Sequence, residues 1–124
     1  IDKDTEQIQW SGAYNVLWYF QNKKLYEITA DKQPIGKSDY RKAFTTHTID
    51  YKPNTTFYLF TDGYADQFGG VKGKKFKYKQ LEEKLLANCD KELETQKEFL
   101  NTAFENWKGE LEQVDDVTII GIRI

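Results

Sequence analysis

The apolar pattern of this chain changes period once, at Gly69-Gly70, and that change restricts the fold more than any other feature. Before it, apolar residues alternate or run in short blocks bounded by turn residues, which is the pattern of strands. "EQIQW" (6–10) alternates, "NVLWYF" (15–20) is a buried-type run, and "KLYEI" (24–28) comes after a turn at Gln21-Asn22-Lys23. "DKQPIGKSDY" (31–40), with Pro34 and Gly36, reads as a loop. "AFTTHTIDY" (43–51) and "TTFYLFT" (55–61) are two further strands on either side of the turn "KPN". After Gly70 the period becomes helical. Tyr78, Leu81, Leu85 and Cys89 fall on one face of a helix over "YKQLEEKLLAN". Asp90 is the expected N-cap of a second helix, in which Leu93, Leu100, Phe104 and Trp107 recur and which Gly109 stops. A last strand, "VTIIGIRI" (117–124), closes the chain. Strands, a helical pair and a strand predict an α+β fold, with hairpin-connected antiparallel strands and helices covering one face of the sheet.

Several function classes drop out on composition. The net charge of −2 gives no global field toward nucleic acid or an anionic membrane. No apolar run reaches the ~18 residues needed to span a bilayer. Cys89 and His47 are the only residues of their kinds, so a Cys/His zinc site or a Ser-His-Asp triad has nothing to be built from. Cys89 reads as helix-end packing, and a lone cysteine suits a reducing compartment. The expected location is cytoplasmic, with any membrane anchor of a parent protein in an upstream region. The chain holds no methionine and opens inside a strand-like stretch, which reads as a piece of a larger protein.

The carboxylates carry the chemistry. Asp62-Gly63 directly succeeds the buried strand 56–61, and by form alone this pair is a hairpin signal. The next seven residues, "YADQFGG", do not have the pattern of a partner strand. Asp115 and Asp116 directly precede the last strand; read alone, they are a solvated turn. If the two strands are antiparallel neighbours, Asp62 and Asp115 converge at one end of the sheet, and Gly63 leaves room for close backbone approach. Clustered carboxylates repel one another unless a cation neutralises them. An all-oxygen set favours Mg²⁺ or Mn²⁺, which clamps phosphoryl oxygens. Beside these residues, "VKGKKFKYKQ" (71–80) interleaves five lysines with Phe76 and Tyr78. It reads as a patch that could meet nucleic acid, as a basic loop leading into a helix, which the overall acidity favours, or as a local attractor of a phosphorylated substrate. The spacing of Gly69, Gly70 and Gly73 matches no phosphate-binding fingerprint.

"LFTDGYADQFGG", "GKKFKYKQL" and "EQVDDVTIIGIRI", with "WSGAYNVLWYF" and "DKQPIG" before them, resemble the metal-dependent type 2C protein phosphatases of the bacterial SpoIIE subfamily. The match runs in order over nearly the whole chain. The resemblance implies a partial αββα sandwich over residues 1–124, the C-terminal portion of one domain, lacking its N-terminal part. It implies a site for two Mn²⁺ or Mg²⁺ ions, and hydrolysis of phosphoserine or phosphothreonine by a metal-bridging water. Asp62, Gly63 and Asp115 match the metal-binding positions. Asp66 matches an acidic position beside them, and Asp116 one held by Asp or Asn. The family's upstream Asp-x-x-Gly-His-Gly-like motif is missing, so the chain carries half an active site and is expected to be inactive alone. The implied partners are a phosphorylated signalling protein, such as an anti-sigma-factor antagonist, and a sensory region upstream. Nucleic acid is not expected. A sheet cut within a domain leaves an edge open to self-association. A non-catalytic binding module of the same fold is the rival reading.

Overall fold

The computed structural model describes residues 1–37, 39 and 42–124. Ser38 and Tyr40, in the expected loop 31–40, lie outside the described residues, as does Arg41. Eight strands and three helices succeed one another: β1 (Gln7–Trp10), β2 (Leu17–Gln21), β3 (Lys24–Ile28), β4 (His47–Asp50), β5 (Thr56–Phe60), α1 (Gly63–Asp66), β6 (Phe68–Gly69), β7 (Lys74–Lys75), α2 (Tyr78–Asn88), α3 (Leu93–Lys108) and β8 (Ile119–Arg123), counted among the described residues. This is the expected α+β class. The chain divides into two compact units, residues 1–59 with 122–124, and residues 60–121.

In the first unit, β2 and β3 form a two-residue hairpin in which Gln21 pairs with Lys24. Its turn residues, Asn22 and Lys23, both have positive φ, at 53° and 59°. That is the turn whose twist matches the flanking strands. The expected succession of hairpins stops there. β1 takes β4 as its antiparallel partner, with Ile8 opposite Ile49. β2 takes β5, with Trp18 opposite Tyr58. The reason is burial: Ile8, Ile49 and Tyr51 pack with Leu17 and Phe57 in one cluster, so the β1–β4 ribbon contributes its apolar face to a shared core. On the other face of β2 and β5, Phe20 meets Tyr58 edge-on at 5.7 Å. Both faces of β2 are covered, which is why its apolar run is nearly continuous.

The larger sheet has the order β3-β2-β5-β8. Ile124 N–H donates to Thr55 O at 3.1 Å, and Thr61 N–H donates to Thr118 O at 3.0 Å. Rising numbers on β5 thus meet falling numbers on β8, and the two strands are antiparallel.

The second unit is held by an aromatic chain. Tyr64 lies 5.1 Å from Phe76 and 5.1 Å from Phe104, and Phe76 lies 5.3 Å from Trp107, measured between ring centroids. Aromatic pairs at such separations add about 0.5–1.5 kcal/mol each beyond burial. The Tyr64 hydroxyl donates to Leu100 O at 2.8 Å, so its one polar atom is satisfied inside the core. Leu81 and Leu85 are the buried stripe of α2, as expected, but the third member is Asn88 rather than Cys89, and Tyr78 is 44% exposed. Asn88 is tolerated there because its Nδ2 donates to Lys84 O at 2.8 Å. The start of α3 also differs from expectation. Its N-cap is Glu92, not Asp90, because Gln96 N–H bonds Glu92 O and residues 90 and 91 stay outside the helix. Gly109 ends α3 at φ 55°, as expected.

Candidate functional site

The segment after β5 does not turn back as a hairpin. Asp62 is the N-cap of the single-turn helix α1, and Asp66 N–H returns to Asp62 O at 2.9 Å. This corner is fastened to the residues before β8. Thr61 Oγ1 donates to Asp116 O at 2.9 Å and accepts Thr118 N–H at 3.0 Å. Gly63 is buried against the same peptide: a Cβ there would stand 2.3 Å from Asp116 O. Only glycine permits that approach, and here the limit is steric, since Gly63 is not among the positive-φ residues. The strand order expected from the sequence thus brings Asp62-Gly63 and Asp115-Asp116 to one end of β5 and β8.

The expected site residues differ in what their carboxylates do. Asp62 is exposed and its side chain makes no capping bond. Asp115 is exposed, and its Oδ1 accepts Asp116 N–H at 2.7 Å, which shapes the turn into β8. The exposed Asp116 enters the corner through its main-chain carbonyl. Asp66 is bridged by Lys75 Nζ at 2.9 Å, with both side chains about half exposed, so the pair contributes ~1 kcal/mol or less. Among the described residues, no three His, Cys, Asp or Glu side chains gather closely enough to hold a metal ion. The donor set is all oxygen, as a hard cation requires, but the described side chains do not by themselves make a complete metal site.

Two further residues take part that the sequence does not mark as site residues. Burial, and then the negative charges of Asp62 and Asp66, push the Tyr78 hydroxyl above its ordinary value. Its ring is held 6.1 Å from that of Phe60. Gln67 is the other. It is fully buried, and its Nε2 donates to Phe68 O at 3.0 Å and to Glu112 O at 2.9 Å. Its main-chain oxygen accepts Phe76 N–H at 2.9 Å and Trp107 Nε1–H at 3.0 Å. Gln67 therefore ties the end of α1 to the segment that leads into Asp115. A polar residue between Asp66 and Phe68 offers no periodic signal for this.

The glycines after Gln67 have a structural assignment. A Cβ on Gly69 would stand 1.8 Å from Trp107 O, and one on Gly70 would stand 2.7 Å from the Trp107 ring. Gly70 N–H donates to Trp107 O at 2.8 Å. At Gly69 and Gly70 the space a phosphate would need is filled by Trp107 of α3, whereas Gly73 stands open.

A family profile described as Stage II sporulation protein E (SpoIIE) matches residues 1–124. Among solved structures, the chain is similar to the SiaA-PP2C domain of Pseudomonas aeruginosa, with a TM-score of 0.89 and 28% identity. That match covers 99% of this chain and 48% of the other, so the chain spans about half the length of the structure it resembles. No curated protein matches it.

Proposed function

The chain belongs to the SpoIIE family, and on that premise we propose that it is the C-terminal part of a Mn²⁺- or Mg²⁺-dependent phosphatase acting on phosphoserine or phosphothreonine of a signalling protein. The single observation that carries the reading is the fastening of Thr61 and Gly63 to the Asp116 peptide. It sets two acidic turns, from distant parts of the sequence, at one end of adjacent strands. In this reading Asp62 and Asp115 contribute ligands to a two-ion site completed from outside residues 1–124. A divalent ion held there supplies hydroxide near neutral pH and neutralises phosphoryl oxygens. Asp66, through Lys75, fixes the basic hairpin next to that site, and Asp116 fixes the turn. The parent carries a sensory region upstream and acts in the cytoplasm. Among the described residues no helix is long and apolar enough to cross a membrane.

The missing ligands make the chain inactive alone, and the sheet edge that the absent strands leave open is where it self-associates, by pairing of the N-terminal strands. The test is an assay of the chain and of its parent with a phosphoserine peptide in Mn²⁺. Turnover is expected from the parent alone, with a loss of at least about 100-fold in Asp62→Asn and in Asp115→Asn, each of which removes a ligand. Full activity in either variant of the parent overturns the assignment. The second reading, a non-catalytic binding module, is favoured by one observation: the Asp66 carboxylate is already engaged by Lys75. An inactive parent that still binds the phosphopeptide would select it.

A further inference from the structure

We propose that the β6–β7 hairpin and the start of α2 are a docking surface for an acidic protein segment. The phosphatase reading enters only by making that segment the flank of the substrate's phosphorylated residue. Residues 72–79 hold Lys72, Lys74, Lys75, Lys77 and Lys79 and no carboxylate. The chain as a whole is at −2, so this is a local concentration of charge on an otherwise acidic protein.

A solvated basic loop is the bland alternative, and the way the segment is anchored argues against it. Phe76, 2% exposed, is wedged edge-on against both Tyr64 and Trp107. Phe76 N–H bonds Gln67 O at 2.9 Å, and Lys77 N–H bonds Ala65 O at 2.7 Å. Gly70 N–H bonds Trp107 O at 2.8 Å. The hairpin is pinned on both sides of its tip, so the ordering entropy that a partner would otherwise have to offset is already spent in folding.

The lysines it carries are available. Lys75 is bridged to Asp66 at 2.9 Å, but among the described residues no ion pair engages Lys72, Lys74, Lys77 or Lys79. At the tip, Val71 stands fully exposed at 107% between Gly70 and Gly73, which take φ of 68° and 57° to make the turn. An aliphatic side chain presented among lysines suits a peptide with acidic and apolar residues, whereas a sugar-phosphate backbone would engage the lysines and leave Val71 unmatched. Charge complementarity then selects the occupant: carboxylates for the lysines and one apolar residue for Val71. The Lys75–Asp66 bridge sets this surface next to the Asp62 corner, so a segment docked here continues toward the acidic turns.

The test is a titration of the ¹⁵N-labelled chain with a hexapeptide of glutamates around one phosphoserine and one leucine. Controls are a neutral hexapeptide with the same phosphoserine, inorganic phosphate, and a single-stranded thymidylate dodecamer. Saturable amide shifts within residues 70–79 are expected with the acidic peptide. Affinity should fall at least about tenfold in K72E/K74E, and should fall as salt rises from about 50 to about 500 mM. Those two lysines are exposed and hold no ion-pair partner among the described residues, so the variant keeps the wild-type spectrum elsewhere. Acidic-peptide binding in a protein whose parent shows no turnover would sink the phosphatase reading while supporting this surface. The surface is overturned by an absence of shifts in 70–79, by equal affinity of K72E/K74E, or by equal binding of the neutral peptide or phosphate. It is also overturned by tighter binding of the thymidylate.

Discussion

Thr61 and Asp116, separated by 55 positions in sequence, are joined by a 2.9 Å hydrogen bond from the threonine hydroxyl to the aspartate's main-chain oxygen. The same hydroxyl accepts Thr118 N–H, so one side chain closes the end of the β5–β8 pair. Thr61→Val keeps the shape and removes both bonds. Because the corner is partly open to water, the expected loss is about 1–2 kcal/mol in urea unfolding, and Thr61→Ser should recover most of it. An unchanged midpoint for the valine variant would mean the bond is incidental.

Gly63 tests the same corner from the steric side. An alanine Cβ would lie 2.3 Å from Asp116 O, 3.0 Å from its carbonyl carbon and 3.2 Å from Val117 Cγ2. Backbone on that side has to move. Gly63→Ala is expected to cost about 1–3 kcal/mol and to shift the amide resonances of residues 115–118. An alanine variant with unaltered resonances there would show that the corner has room to spare.

How much of this was legible in the sequence depends on the range of the contacts. β2, β3 and β5 were readable because period and turn residues are local, and the two long helices because a 3.6-residue stripe is local too. The β1–β4 pairing was not, since Ile8 and Ile49 are 41 positions apart and only a shared core brings them together. Asp62 and Asp115 were legible as strand-end carboxylates, given an assumed pairing of β5 with β8. Thr61 and Gln67 were not, because a hydroxyl or amide that bonds distant main-chain carbonyls leaves no periodic trace. The spacing of Gly69 and Gly70 excluded a phosphate fingerprint, but sequence alone does not reveal that these glycines make room for Trp107.

Tyr64 makes the stability of its unit depend on pH in alkali. Burial raises its phenol above the ordinary 10.0, because the neutral form alone suits the core and the bond to Leu100 O. A raised folded-state value means no penalty below pH 10.0, then a loss as pH rises toward the folded value. In that window the unfolded chain sheds a proton that the folded chain keeps. Unfolding free energy should therefore fall above that point, by up to about 1.4 kcal/mol per pH unit from this group. Tyr64→Phe should remove this group's share of the decline, at about 1 kcal/mol of neutral-pH stability for the lost hydrogen bond. Equal alkaline slopes for the two proteins would refute the assignment.

Gln67 separates charge from hydrogen bonding within the core. Its Nε2 serves two carbonyls, those of Phe68 and Glu112, while its Oε1 is buried without a partner among the described residues. Gln67→Leu leaves both carbonyls without their donor, and about 1–3 kcal/mol of stability should be lost at every pH. Gln67→Glu keeps the size but sets a carboxylate against two carbonyl oxygens. Near neutral pH that should cost several kcal/mol, on the order of 3–5, since the buried charge has no counter-ion. Lowering the pH lets the acid protonate and donate to one carbonyl, so the folded-state value of the new carboxyl lies above its unfolded value. Stability held below the unfolded value is then lost as pH rises through the folded one. The glutamate variant should approach wild type near pH 4 and diverge from it by pH 7, while the leucine variant runs parallel to wild type throughout. Parallel curves for all three would mean that the amide faces water and does not tie α1 to the approach to Asp115.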